Sequence, residues 1–242
     1  MKLGILVDIH SNLEALNCCL DAMRDVSEYL CLGDIIGYGP NPNECVEIIR
    51  KLDCKTIAGN HEGAITGKVD LNWFNREARE AIEWTAKVLT EPNRKFMEGL
   101  PEHIELDDLE AVHGSLKNNL EEYISNITEG AATIELMKKN LLLVGHLHIP
   151  LVIMKEKDGK FDGWQLGDGD VVDITKFDKV IINVGAIGQP RDMDNRASFG
   201  IYDTDAKTVE IRKVEYNVSA VQEKMRKAGL PDFLVERLKY GR

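Results

Sequence analysis

An α/β fold with a second sheet packed against the first is the architecture this sequence predicts, and two observations carry the prediction. Near the start, Leu3 to Val7, Tyr29 to Leu32 and the segment CKTIAG are apolar runs that each end on a polar loop, with helical patterns between them. From Pro150 onward the segments FDGWQL, KVIINVGAIG, SFGIYD and TVEIRKVEY read as strands separated by turn signals such as Asp158-Gly159 and Gly167-Asp168-Gly169. A second sheet packed on the first accommodates them. In such a fold, function is expected at the loops that follow the strands.

The remaining elements follow in order. Leu13, Leu16, Leu20 and Met23 recur at helical spacing behind Ser11 and Asn12, both N-cap residues by type. NPNECVEIIRKL reads as a second helix. With Asn72 as its N-cap, WFNREAREAIEWTAKVL becomes an amphipathic helix that places Phe74, Ala78, Ala81, Ile82, Thr85, Val88 and Leu89 on one face. EHIEL, LEAVHGS and LLLVGHLHIPLVIM look like strands, with TEGAATIELMKKN as a helix between the last two, and the end of the chain reads as two short helices split at Gly229 and Pro231.

Composition narrows the function. A chain of 242 residues is long enough for one α/β domain with a full core, spanning 1–242. No apolar run approaches the ~20 residues that cross a bilayer, and the apolar stretch before Asp8 is too short for a signal sequence, so cytoplasmic residence without a membrane partner is expected. The five cysteines form no CxxC pair and read as reduced thiols. A formal charge of −11 repels polyanions, and no run of Lys and Arg overrides it, which disfavours stable nucleic-acid binding. Small phosphate compounds remain open, because bound divalent cations can dominate a local field.

Five short blocks each follow a strand-like run: Asp8-Ile9-His10, Gly33-Asp34, Gly59-Asn60-His61-Glu62, Ala111-Val112-His113-Gly114 and Gly145-His146-Leu147-His148. Singly, each has a bland explanation, since an Asp before a turn is a cap and a lone His is a hydrogen-bonding residue. Together they bring five of the six histidines, the carboxylates of Asp8 and Asp34, and Asn60 to strand ends, which packing gives no reason to favour. Metal binding is the physical logic of such a set. In DxH and HxH, alternate residues of an extended strand end project to one side and can approach one centre. A carboxylate between two cations can bridge them at roughly 3.5–4 Å, as two-metal hydrolases require. Mixed nitrogen and oxygen donors without Cys suit Mn, Fe, Co, Ni or Zn and do not choose among them.

The blocks DIH, GDIIGYGP, GNHE, HGS and GHLH, in this order, resemble the calcineurin-like metallophosphoesterase superfamily, and DIHSNLEAL, GDIIGYGPNP and NVGAIGQPRD are similar to its small bacterial and archaeal phosphodiesterase branch, which includes dinucleoside-tetraphosphatase-like members. The resemblance implies a four-layer α/β/β/α sandwich of two packed mixed sheets flanked by helices, with the metal site at strand C-terminal ends. It implies two divalent transition metal ions, one held by Asp8, His10 and His148, the other by Asn60, His113 and His146, with Asp34 bridging. The implied activity is hydrolysis of a small phosphodiester, phosphomonoester or nucleotide polyphosphate by in-line attack of a metal-bound hydroxide. His61 would be the general acid or a phosphate hydrogen-bond partner, a role that suits an imidazole of near-neutral pKa.

Where protein-phosphatase members carry GDxxDRG, this chain has Gly37-Tyr38-Gly39-Pro40, which removes a phosphate-binding Arg and argues against that branch. Arg191 is the candidate replacement, with Arg196 behind it; the alternative for Arg191 is a structural pair with Asp192 or Asp194. Asn12 could donate to phosphate or simply cap its helix, and Tyr38 could line the pocket, stack on a base or pack a turn. Glu62 either orients His61, or lies one layer behind the site residues, or is a carboxylate favoured at a helix start. Gly185 and Gly188 read as tight-turn positions, and His103, outside every motif, as a surface or strand-edge residue. A noncatalytic scaffold of the same fold would show eroded ligand positions, and a nuclease a basic groove. This sequence has neither.

Overall fold

A computed structural model describes residues 1–242. The N-terminal part alternates as expected: β1 (Lys2–Leu6), α1 (Leu13–Ala22), β2 (Glu28–Cys31), α2 (Pro42–Lys51), β3 (Lys55–Thr56) and α3 (Asn60–Thr66). A 3-10 turn (Leu71–Trp73), α4 (Arg76–Val88) and α5 (Glu91–Glu98) lead to β4 (His103–Glu105), β5 (Leu109–Val112), α6 (Ile127–Ile134) and β6 (Leu141–Val144). Six more strands follow, β7 (Pro150–Lys155), β8 (Phe161–Gln165), β9 (Val171–Asp173), β10 (Lys179–Val184), β11 (Ala197–Asp203) and β12 (Thr208–Val214), and α7 (Val218–Lys227) and α8 (Asp232–Arg237) close the chain.

The strands form two six-stranded mixed sheets, ordered β3-β2-β1-β11-β12-β9 and β4-β5-β6-β10-β7-β8. Alternation along each strand builds the layers. Leu3, Ile5 and Val7 of the first sheet and Val180, Ile182 and Val184 of the second meet in the core between the sheets. Leu6 faces the opposite way, into a core shared with α1, α2, α4, α5, α7 and α8, while Ile181 faces a smaller cluster under α6. The result is the expected α/β/β/α order.

Two details differ from the sequence reading. The strands after Pro150 do not share a sheet: β7, β8 and β10 join the second sheet, whereas β9, β11 and β12 return to the first. The return covers the free edge of β1, which pairs in parallel with β2 on one side and antiparallel with β11 on the other. The long helix is capped by Asn75, whose side chain accepts from Ala78 N, and not by Asn72, because Asp70 first caps a separate 3-10 turn and Phe74 is extended. Its face is buried as expected except at Val88, which is 39% exposed at the helix end.

This topology places the chemistry. Strands β1, β2 and β3 run parallel, as do β5, β6 and β10. The loops leaving β1, β2, β3, β5 and β6 hold Asp8-Ile9-His10, Asp34, Asn60-His61, His113 and His146-Leu147-His148, and all of these side chains but that of Leu147 are nearly or fully buried or, for Ile9, in the helix-side core.

Candidate metal centre

Two groups of potential donors form at these loops. Asp8, His10, Asp34 and His148 bring one ligand atom each within 4.8 Å of one another, and so do Asp34, His113 and His146. Asp34 belongs to both. Its Oδ2 lies 3.3 Å from His113 Nε2 and 3.6 Å from His10 Nε2, while Oδ1 accepts the backbone N–H of His61 at 2.9 Å. Asn60 Oδ1 stands 3.1 Å from His113 Nε2.

The local backbone that achieves this is not an extended strand end. Asp8, His10, Asp34, His146 and His148 all have φ between 46° and 69°, the left-handed region that L residues ordinarily avoid. Strand alternation therefore does not describe these loops: Asp8 and His10 do share a donor group, but His146 and His148 fall in different ones. Backbone hydrogen bonds between loops hold the strained residues: His10 N to Asp34 O at 2.9 Å, Gly188 N to Asp8 O at 2.8 Å and Arg191 N to His148 O at 3.1 Å. Gly188 has to be glycine, because a Cβ there would meet Ile9 O at 1.9 Å.

Hydrogen bonding also sets the imidazole tautomers. His10, His113 and His148 each turn Nδ1 to a backbone carbonyl, that of Ile36 at 3.0 Å, Leu32 at 2.8 Å and Gln189 at 2.6 Å. A carbonyl only accepts, so Nδ1 carries a proton in each; Nε2 of His10 and of His148 then presents a lone pair to the cluster, whereas His113 Nε2 faces two acceptors, Asn60 Oδ1 and Asp34 Oδ2, and donates to them until a metal displaces its proton. His146 turns Nε2 to Glu121 O at 3.3 Å, which leaves Nδ1 as its lone-pair nitrogen.

Divalent cations fit this donor set. His10 Nε2 and His148 Nε2 face each other at 3.0 Å, and burial holds both rings well below the usual imidazole value, so two lone pairs oppose. Asp8 Oδ1 is buried with no hydrogen-bond partner, 3.5 Å from His148 Nε2. A divalent cation shared among such acceptors would make the arrangement favourable. Burial raises the Asp8 carboxyl, whereas for Asp34 burial is overcome by His113 and His61, and its carboxyl is held well below the ordinary range. Against burial, Asp34 and then Asp8 push His113 up to about 9, so a proton and a metal compete for its Nε2.

His61 stands apart. Its Nε2 is 4.0 Å from Asp34 Oδ2, and its Nδ1 is buried without a partner. The ring lies edge-on to His10, Tyr38 and Phe74, with centroids 4.7, 4.6 and 5.2 Å away. It packs over Gly37, where a Cβ would meet Nδ1 at 2.0 Å and where φ is +89°. The expectation of a near-neutral pKa is not met, since burial lowers His61 to about 4. Glu62 does not orient it either. Its carboxylate accepts from Asp34 N at 2.7 Å, Gly59 N at 2.8 Å and Ile36 N at 3.2 Å, and so fixes the loop that carries Asp34.

A cavity of about 260 Å³ opens over the cluster, walled by Asp34, Asn60, His61, His146 and His148 at its base and by Tyr38, Trp73, Phe74, Asn75, Tyr123 and Arg191 around it. Arg191 makes no pair with Asp192 or Asp194, which are taken by Lys213 and, for Asp194, also Arg196. It donates to Gln189 Oε1 at 3.0 Å and reaches Tyr38 Oη at 3.5 Å, and its Nε is buried without a partner. Asn12 is absent from the cavity wall. Its oxygen caps α1 through Ala15 N and its amide donates to Gly188 O at 3.0 Å, so the capping explanation accounts for it. Arg196 is engaged by Asp168 and Asp194, and His103 lies on the edge strand β4 beside Glu110. Trp73, Phe74, Asn75 and Tyr123 were missed as site residues, since the first three fall in a segment read as plain helix and Tyr123 in a loop without motif.

Fold and site together define a calcineurin-like phosphoesterase. Residues 1–207 match the calcineurin-like phosphoesterase superfamily domain, and the chain belongs to that family. It is therefore a metal-dependent phosphoesterase, a hydrolase. It is 38% identical over 252 aligned positions to the uncharacterized protein MJ0912 of Methanocaldococcus jannaschii, covering 99% of this chain and 98% of that one. The crystal structure of a metallophosphoesterase from Sphaerobacter thermophilus superposes with a TM-score of 0.91 at 39% identity over the whole of both chains. The hypothetical protein PH1004 of Pyrococcus horikoshii shares the fold, with a TM-score of 0.82 at 20% identity over 100% of this chain and 98% of that one. No helix is long and apolar enough to cross a membrane.

Proposed function

We propose that the protein hydrolyses small phosphate esters, whether phosphodiester, phosphomonoester or nucleotide polyphosphate, with two divalent transition metal ions. Asp8, His10 and His148 would hold one ion, Asn60, His113 and His146 the other, and Asp34 both. The observation that carries this reading is the membership of Asp34 in two donor groups, with His61 outside both. When bound, such ions polarise phosphoryl oxygens and make a coordinated water more acidic.

The protein's own groups supply the rest. Arg191, free of carboxylate partners, binds and orients the phosphate through a guanidinium already held by Gln189. His61 acts on the leaving oxygen or on a phosphate oxygen. Because burial lowers it to about 4, it is neutral in the free protein, and it donates as a neutral N–H or takes up its proton together with the substrate anion, whose charge raises an imidazole's pKa. The walls formed by Tyr38 and Phe74 keep bulk water from that ring.

The test is metal analysis with an activity panel. Protein reconstituted with Mn, Fe, Co, Ni or Zn should bind two ions per chain and hydrolyse generic aryl phosphate esters; failure with every ester and every metal would reject the proposal.

A further inference from the structure

The cavity rim carries two aromatic rings that the phosphoesterase chemistry does not use. Trp73 and Tyr123 come from different parts of the chain, the 3-10 turn after α3 and the loop after β5, and are 40% and 38% exposed at the cavity mouth. Their planes are within 16° of parallel at a centroid distance of 6.2 Å. Both rings are tied to the cluster below. Tyr123 stacks on His146 at 3.8 Å and 15°, and Trp73 stands edge-on to Phe74 at 5.1 Å, which in turn stands edge-on to His61.

Support of His146 explains the inner face of Tyr123. Trp73 also lies near-parallel to His146, at 5.7 Å and 23°, and still keeps 40% of its surface exposed at the mouth of a phosphate-sized site. Two near-parallel exposed rings make a platform for a planar group. Beside them the exposed Asn75 spends its side-chain oxygen on Ala78 N at 2.9 Å, so what its side chain offers a ligand is the amide N–H, a donor to a ring that carries acceptors. That combination suits a nucleobase better than a bare phenyl ring. The net charge of −11 and the modest cavity favour a small nucleotide over a nucleic-acid chain.

We infer that Trp73 and Tyr123 form a base-stacking platform that makes nucleotides the preferred substrates of the site. The inference rests on the phosphoesterase reading, and it assigns these two rings a part in specificity and none in bond cleavage. The probes are adenosine 5′-phosphate and ribose 5-phosphate, each as the free monoester and as its methyl diester, which differ only in the base. In metal-loaded protein carrying Trp84→Phe and Trp164→Phe, the fluorescence of Trp73 should be quenched on titration with adenosine 5′-phosphate and not with ribose 5-phosphate. The adenosine compound should bind about tenfold or more tightly, the scale of one base stacked on an aromatic side chain. Trp73→Ala and Tyr123→Ala should each collapse the adenosine-over-ribose preference in affinity and in kcat/KM, and Trp73→Phe should restore most of it. Equal affinity for the two compounds, or a preference that survives both alanine variants, overturns the platform even if both esters are hydrolysed. Absence of hydrolysis of every ester, generic aryl esters included, instead overturns the phosphoesterase reading on which it stands.

Discussion

Glu62 accepts the backbone N–H of Asp34 at 2.7 Å, and with the same oxygen that of Gly59 at 2.8 Å. A carboxylate with no exposure thus joins the loop after β2 to the start of α3 and aims Asp34 at both donor groups. Glu62→Ala should leave three buried N–H groups unsatisfied and cost about 3 kcal/mol or more in chemical denaturation, with loss of bound metal. Glu62→Gln, which keeps one acceptor oxygen, should be milder. An alanine variant of wild-type stability and metal content would remove the loop-fixing role.

His61 and Asp34 should separate in metal analysis. His61→Ala is expected to keep two metal ions per chain and to lose turnover by about a hundredfold or more, the scale of a lost general acid. Asp34→Ala should lose metal as well, because its carboxylate is common to both groups. Equal metal loss in the two variants would place His61 among the ligands and end its separate assignment.

Arg191 should act on the substrate and not on the metals. Arg191→Ala is predicted to lower kcat/KM by roughly tenfold to a hundredfold, as for a lost charge-assisted hydrogen bond, with unchanged metal content. Arg191→Lys should not rescue it, because one ammonium cannot serve both Gln189 Oε1 and a phosphate in the geometry of a guanidinium fork. Full rescue by Lys would reduce its part to that of a point charge.

The loop that delivers Arg191 is anchored by ion pairs that should fail in acid. Hydrogen bonds from Arg196 first, then Lys213, hold the Asp194 carboxyl well below the usual range, and Lys213, only 4% exposed, also pairs with Asp192. A depressed folded value means that the unfolded chain takes up the proton first. The contribution is therefore complete above the unfolded carboxylate value of about 4 and is lost as pH falls through the folded value. Denaturation of metal-free protein between about pH 5 and pH 2 should show a shallower acid decline in Arg196→Met than in wild type. Identical slopes would mean that the Asp194 pairs add nothing to acid stability.

The alternation of strands and helices, the five motif blocks and their order were legible in the sequence by itself, because hydrophobic periodicity and unusual clusters of His and Asp are local signals. Membership of Asp8, His10, Asp34, His113, His146 and His148 in two convergent donor groups followed from those blocks together with the resemblance they carry. What only the tertiary structure decided depends on groups distant in the chain. The return of β11 and β12 beside β1 is set by which edge is free, and neither strand's own pattern records it. The left-handed conformations at Asp8, His10, His146 and His148 are held by loop-to-loop hydrogen bonds that no tripeptide spacing encodes. Glu62 turned from His61 to the Asp34 loop, Asn12 was consumed as a cap, and Trp73 and Tyr123 met at the cavity mouth from positions fifty residues apart. In each case the deciding quantity is a partner's position in space, and a hydrogen bond or a stacked ring depends on that position and not on sequence separation.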